Sequence, residues 1–238
     1  MISDESIRTI AKKYQTTELN VRREYFQHLF LSYFYQQPHS DKIFFKGGTA
    51  LRILYNSPRF SEDLDFSANT SDIKAIETSI VSTLEEIERE GVDTNIQEAK
   101  TTSGGYLAIL SFTISHVKIS IQLEISLREK KKKGETATIV SDFMPSYLIV
   151  HLEKSELIKE KMQALLSRKK PRDFYDVYFL LRANLITIKE RAMLSMVSQE
   201  LKNIRISFEK ELKLFLPKNH QMIIKDFKTA LEREIKRS

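Results

Sequence analysis

The sequence predicts an α+β protein, with a mixed sheet flanked by helices in its first part and a helical domain at its C-terminal end. Three observations carry that prediction. Residues 106–114 and 117–127 are rich in β-branched side chains, as strands are. Between Asp72 and Glu90 the apolar residues Ile73, Ile76, Ile80, Leu84 and Ile87 follow the period of an amphipathic helix. From Ser155 onward the pattern is helical almost to the end of the chain.

Taken in order, residues from about Ser6 to Gln37 carry apolar side chains at helical spacing, among them Val21, Tyr25, Leu29 and Tyr33, until Pro38 breaks the pattern. One or two helices are expected there. The apolar run Ile43-Phe44-Phe45 predicts a strand, Lys46-Gly47-Gly48 a tight turn, and Thr49 to Tyr55 a helix. Leu64-Asp65-Phe66 predicts a second strand, opening just after Ser61-Glu62-Asp63. Ser71 or Asp72 suits the N-cap of the following helix, and Gly91 ends it. Ser115-His116 separates the two β-rich segments, which reads as a hairpin extending the same sheet. Beyond the basic loop containing Gly134, Ala137 to Phe143 predicts a last short strand. The change of pattern near Pro145 places a domain boundary there, giving residues 1–145 and 146–238.

The chain has 238 residues, 41% of them hydrophobic, enough for an ordinary buried core. It has no cysteine and no tryptophan, which excludes disulfides, a thiolate nucleophile and a Cys-based zinc site, and suits a reducing compartment. No basic stretch leads into an apolar run at the N-terminus, and no segment approaches the ~18 apolar residues of a membrane span. A cytoplasmic protein without membrane attachment is expected. Its net charge of +6 favours a polyanionic partner such as RNA, DNA or a nucleoside triphosphate. The excess gathers in 128–133, in Arg168-Lys169-Lys170 and in the closing stretch from Lys225 to Arg237, although each run alone is equally readable as a solvated face. The five histidines are scattered without ligand spacing, so zinc and Ser–His–Asp chemistry find no support.

The segments carrying chemistry come next. In Phe44-Phe45-Lys46-Gly47-Gly48-Thr49-Ala50-Leu51, two glycines between strand and helix let the backbone approach a ligand, and the helix start offers N–H groups to phosphate. Plain turn geometry would explain the glycines as well. In Arg59-Phe60-Ser61-Glu62-Asp63-Leu64-Asp65-Phe66, side chains two apart on a strand point the same way, so Asp63 and Asp65 would share a face. Like charges that close call for a counter-ion, and magnesium is bound by one or two carboxylates together with phosphate oxygens. Arg59 is an arginine within reach of phosphate. Glu124, flanked by Leu123 and Ile125, is either a third metal-binding carboxylate or an exposed acid paired with Lys118 or Arg128.

Two further groups lie in the helical half. Lys161 sits four residues after Leu157 and four before Leu165, on the apolar stripe, so it either meets an anion or snorkels to the stripe's edge. Asp173 and Asp176 follow Pro171 near the start of a predicted helix. Capping and an Arg172–Asp176 pair would account for both without any chemistry.

The order of Gly-Gly after a strand, acid–apolar–acid, and apolar–acid–apolar on a later strand resembles the polymerase-β-like nucleotidyltransferases. The strings Lys46 to Leu51 and Arg59 to Phe66 look like the AbiEii/AbiGii and MenT branch, with the likeness running from about Ile43 to Leu181. The resemblance implies that Lys46, Gly47, Gly48, Thr49, Arg59 and Ser61 seat the nucleotide, and that Asp63 and Asp65 hold magnesium or manganese, with Glu124 as a possible third ligand. It also implies that Lys161 and the aspartates 173 and 176 contribute to catalysis. By the same resemblance the reaction transfers a nucleoside monophosphate from NTP to an acceptor, the 3′ end of tRNA in MenT-like relatives. A toxin–antitoxin operon with a cognate antitoxin, and a role in growth arrest or phage defence, are implied with it. Two rivals remain: a catalytically idle RNA-binding protein, and an enzyme modifying a protein target.

Overall fold

The computed structural model describes residues 2–114, 116–128 and 131–238, and the chain divides into two compact units. One comprises Met1–Asn56 and Phe60–Glu153; the other comprises Ser57–Arg59 and Lys154–Ser238.

The first unit opens with helices α1 (Asp4–Tyr14) and α2 (Glu18–Phe34). Ser3 and Thr17 cap them by accepting the N–H of Ser6 and Asn20, which satisfies donors that the first turn leaves unpaired. Strand β1 (Ile43–Lys46) runs directly into α3 (Gly47–Tyr55), as the Gly-Gly turn predicts. Next come β2 (Leu64–Ala68) and α4 (Ile73–Arg89), the latter capped by Asp72 and followed by Gly91 at φ +82°. Five strands complete the unit: β3 (Asp93–Thr102), β4 (Gly105–Ile114), β5 (Val117–Ser126), β6 (Gly134–Ile139) and β7 (Tyr147–Leu152).

The strands form one seven-stranded mixed sheet in the order β3-β4-β5-β2-β1-β7-β6. The β2–β5 and β1–β7 pairs are parallel and the other neighbours antiparallel. Helix α2 covers one face. Its Phe26 stacks on Phe112 of β4 with ring centroids 5.1 Å apart, and Phe34 meets Phe66 of β2 at 5.6 Å. Each such ring removed from water contributes about 1.5–3 kcal/mol. Tyr35, just past α2, wedges its hydroxyl between β1 and β7. The oxygen lies 2.8 Å from the Ile43 carbonyl and 2.6 Å from that of Val150, and accepts the Phe45 N–H at 3.1 Å.

Three strands depart from the sequence reading. β3 is a polar edge strand whose side chains are mostly exposed, so no apolar alternation marks it. The last strands lie at Gly134–Ile139 and Tyr147–Leu152 in place of Ala137 to Phe143. β7 sits inside the sheet between β1 and β6, and interior strands read as short apolar runs without a clear period.

The second unit is helical: α5 (Lys154–Arg168), α6 (Pro171–Arg182), α7 (Ile188–Arg191), α8 (Leu194–Asn203), α9 (Glu209–Phe215) and α10 (Phe227–Arg237), with a 3-10 segment at Lys218–Ile224. Leu157, Met162, Phe174, Leu180, Val197, Leu212, Phe227 and Leu231 are buried and form its core. Among the described residues no helix is long and apolar enough to cross a membrane.

Candidate active site

In the sheet unit, register decides which polar side chains become neighbours. On β2, Leu64 and Phe66 are buried, so Asp65 emerges from the opposite face; on β5, Leu123 and Ile125 are buried and Glu124 is exposed. Asp65 is the direct partner of Glu124 across the parallel β2–β5 pair, and of Lys46 across β1–β2. Three predicted site residues on three adjacent strands therefore form one row, Lys46–Asp65–Glu124, at interstrand steps of about 4.8 Å.

Gly47 explains why glycine stands after Lys46. Its φ is +84°, in the left-handed region, and a Cβ there would lie 2.0 Å from Asp65 Oδ2 and 2.7 Å from Asp65 Cβ. The Asp65 carboxylate thus closes onto the backbone at the first turn of α3. The side chain of its N-cap residue, Lys46, makes no cap hydrogen bond, and the leading N–H groups, those of Gly47, Gly48 and Thr49, lie at the end where an anion is favoured. Thr49 is fully buried and its hydroxyl donates to the Asp63 carbonyl at 2.5 Å. This bond ties the residue before β2 to the first turn of α3.

Asp63 and Asp65 are the donors a magnesium ion asks for, since one or two carboxylates suffice when substrate phosphates complete the shell. The chemistry of this pair fits a divalent cation. A preassembled three-carboxylate cage is not what Glu124 makes: no group of three or more His, Asp or Glu among the described residues is arranged to hold a metal. The Glu124 carboxylate instead accepts Gln122 Nε2 at 2.5 Å.

The segment 60–63 is braced by residues that motif reading overlooks. Arg52 of α3 makes a two-pronged pair with Glu24 of α2, Nε to Oε1 at 2.6 Å and Nη2 to Oε2 at 3.0 Å, and its guanidinium lies 3.5 Å from the centre of the Phe60 ring. Gln27 Nε2 donates to the Ser61 carbonyl at 3.0 Å, and Arg23 pairs with Glu62 at 2.8 Å. The only sequence signal for these is charged residues placed within an otherwise apolar helix, which is α2.

In the helical unit, Lys161, Asp176 and Arg59 come together. Arg59 grips Asp176 with both prongs, Nε to Oδ1 at 2.8 Å and Nη2 to Oδ2 at 3.0 Å, and Lys161 Nζ donates to Oδ2 at 2.8 Å. Their relative exposures are 3%, 1% and 8%, so the cluster is shielded from water. Burial pushes the Asp176 carboxyl up, but the charges of Arg59 and Lys161 outweigh it and hold the group down at about 2.

In this arrangement Arg59 turns Nε and Nη2 to Asp176, so a phosphate gripped by Arg59 would compete with that carboxylate. The arrangement also supplies the anion that the inward position of Lys161 demands. Arg172 pairs with Glu211 at 3.3 Å and not with Asp176. Asp173 caps α6, accepting the Lys170 N–H at 3.2 Å, and also receives Arg168 Nη2 at 2.6 Å. That is the capping role its position near Pro171 allows.

Comparison with known proteins agrees with this architecture. Residues 29–237 match the family model described as the nucleotidyl transferase AbiEii toxin of type IV toxin–antitoxin systems. The crystal structure of JHP933 from Helicobacter pylori is similar, with a TM-score of 0.65 and 21% identity over 93% of this chain and 92% of that one. A structure described as a candidate nucleotidyltransferase from H. pylori has a TM-score of 0.65 and 21% identity, covering 92% of this chain and 94% of that one. At that identity the likeness concerns the fold. No curated protein matches the chain.

Proposed function

The chain belongs to the AbiEii nucleotidyl transferase toxin family of type IV toxin–antitoxin systems, and from that premise we propose that it transfers a nucleoside monophosphate from NTP to a hydroxyl at the 3′ end of tRNA, releasing pyrophosphate. The observation that carries the reading is the Asp65 carboxylate seated on Gly47 at the start of α3. A negative group and a set of phosphate-seeking N–H donors at one point make sense when a cation and a triphosphate meet there.

In this proposal Asp63 and Asp65 hold magnesium or manganese, with Glu124 as the neighbour across the sheet. The bound ion would activate the acceptor oxygen and neutralise the α-phosphate. The main chain of Gly47, Gly48 and Thr49 binds the outer phosphates, helped by Lys46 and Ser61. Thr49 also acts as a positioning residue by holding the Asp63 carbonyl. In the helical unit Lys161 and Asp176 are proposed contributors to catalysis, with Arg59 positioning Asp176, while Asp173 secures the start of α6. The proposed setting is a cytoplasmic toxin restrained by a cognate antitoxin, acting in growth arrest or phage defence.

The test is incubation of the pure protein with each labelled NTP, magnesium and total tRNA. Label on tRNA, lost in Asp65→Asn with unchanged circular dichroism, is the expected result. Label on protein alone would replace the acceptor. No label with any NTP, together with RNA binding that survives Asp63→Ala and Asp65→Ala, would overturn the enzymatic reading.

A further inference from the structure

The chain's positive charge belongs entirely to one of its units. Ser57–Arg59 with Lys154–Ser238 carry 21 Lys and Arg against 11 Asp and Glu, a net +10. The sheet unit carries 17 against 21, a net −4. An overall charge of +6 conceals this division.

Within the helical unit a groove of about 590 Å³ runs between α9, the 3-10 segment and the start of α10. Four lysines line it, Lys213, Lys218, Lys225 and Lys228, against Glu209 and Asp226. Its walls are tied in place. Gln221 Nε2 donates to the carbonyls of Lys213 at 3.1 Å and Leu216 at 2.9 Å, and Lys228 Nζ donates to the Ile204 carbonyl at 2.6 Å. Lys213 is paired with Glu209 at 3.6 Å, whereas the exposed side chains of Lys218 and Lys225 have no ion pair among the described residues. Lysines gathered around one cavity raise the local positive potential, which favours a visiting anion.

We propose that this groove docks the phosphodiester backbone of an RNA acceptor. The inference rests on the proposed transfer to RNA and adds where the acceptor's charge is received. RNA is favoured over an acidic protein segment because the whole unit is positive, so a long polyanion keeps gaining contacts beyond the groove. Docking through the backbone makes the contact independent of sequence and steep in salt, each neutralised phosphate adding about 0.7–0.9 to the slope of log K against log salt.

The experiment measures fluorescence anisotropy of a labelled 20-nucleotide RNA with the full chain, without NTP, from 50 to 200 mM KCl. The variants are Lys218→Gln/Lys225→Gln and, as a control of equal charge loss outside the groove, Lys189→Gln/Lys202→Gln. The groove variant is expected to bind about thirty-fold more weakly at 0.1 M salt, with a slope reduced by about 1.4–1.8, which is two phosphate contacts. In the transfer assay it should raise KM for RNA and leave kcat unchanged. Equal losses in both variants would mean diffuse charge and overturn the proposal, as would unaltered binding in the groove variant. Loss of polyglutamate binding with RNA binding intact would assign the groove to an acidic protein. Wild-type protein that transfers label to a non-RNA acceptor and binds no RNA would instead sink the acceptor assignment, a result that the two readouts keep separate.

Discussion

Replacing Asp176 with asparagine keeps the shape of the side chain and removes the carboxylate that Arg59 and Lys161 share. The carboxyl is held at about 2 against an ordinary value of 3.8. At about 1.36 kcal/mol per pH unit, that difference corresponds to a stabilisation on the order of 1–3 kcal/mol at neutral pH. The substitution also leaves two cations, 3% and 8% exposed, facing a neutral amide. Removing one side of a buried pair costs about 3–5 kcal/mol, so the larger figure is the one expected. For a chain of this size that lowers Tm by about 10 °C. Because the folded-state value lies below the unfolded one, the contribution is fully present above pH 3.8 and is lost as pH falls toward 2. Urea denaturation followed by circular dichroism should therefore show a constant wild-type advantage from pH 8 to 5, narrowing below pH 4. Lys161→Met should cost clearly less, since it leaves Asp176 and Arg59 as a balanced pair. A loss below about 1 kcal/mol at pH 7, or a gap that widens on acidification, would refute this account of the cluster.

Three further outcomes follow from the same structure. Gly47→Ala places a methyl 2.0 Å from Asp65 Oδ2 at a backbone angle unsuited to alanine, so nucleotide transfer should fall by about 100-fold with secondary structure retained by circular dichroism. Thr49→Val leaves the Asp63 carbonyl without its donor and should cost about 1–3 kcal/mol in urea denaturation, whereas Thr49→Ser should recover most of it. Burial, aided by the charge of Arg52, lowers His28 to about 3, so its ring stays neutral beside the Tyr147 hydroxyl. The unfolded chain takes up that proton near pH 6.5 and the folded one does not, so stability should fall below pH 6.5 by up to about 1.4 kcal/mol per pH unit. His28→Gln should flatten that slope in urea midpoints taken at pH 7, 6 and 5.

What was legible in the sequence was local. The strand–Gly-Gly–helix turn at Lys46 to Leu51, the helix from Ile73 and the acid–apolar–acid start of β2 depend on residues a few positions apart, where period and backbone preference act directly. The Thr49 hydroxyl, the Glu24–Arg52 pair and the Tyr35 wedge were not legible, because each joins residues whose separation along the chain carries no periodic signal. β7 gives no clear sequence signal because its apolar run obeys no alternation, and β3 gives none because its surface is wet.

Sequence alone determined that Asp63 and Asp65 follow a glycine turn, that Lys161 lies on an apolar stripe and that the chain carries excess positive charge. Those properties are set by residue type and by the pitch of helix and strand. Only the tertiary structure decided that Asp65 stands beside Glu124 and against Gly47, that Lys161 and Arg59 share Asp176, and that the positive charge resides in the helical unit. Such pairings join side chains distant in sequence, and they hold because burying a charge is tolerable only where folding brings its partner within hydrogen-bonding distance.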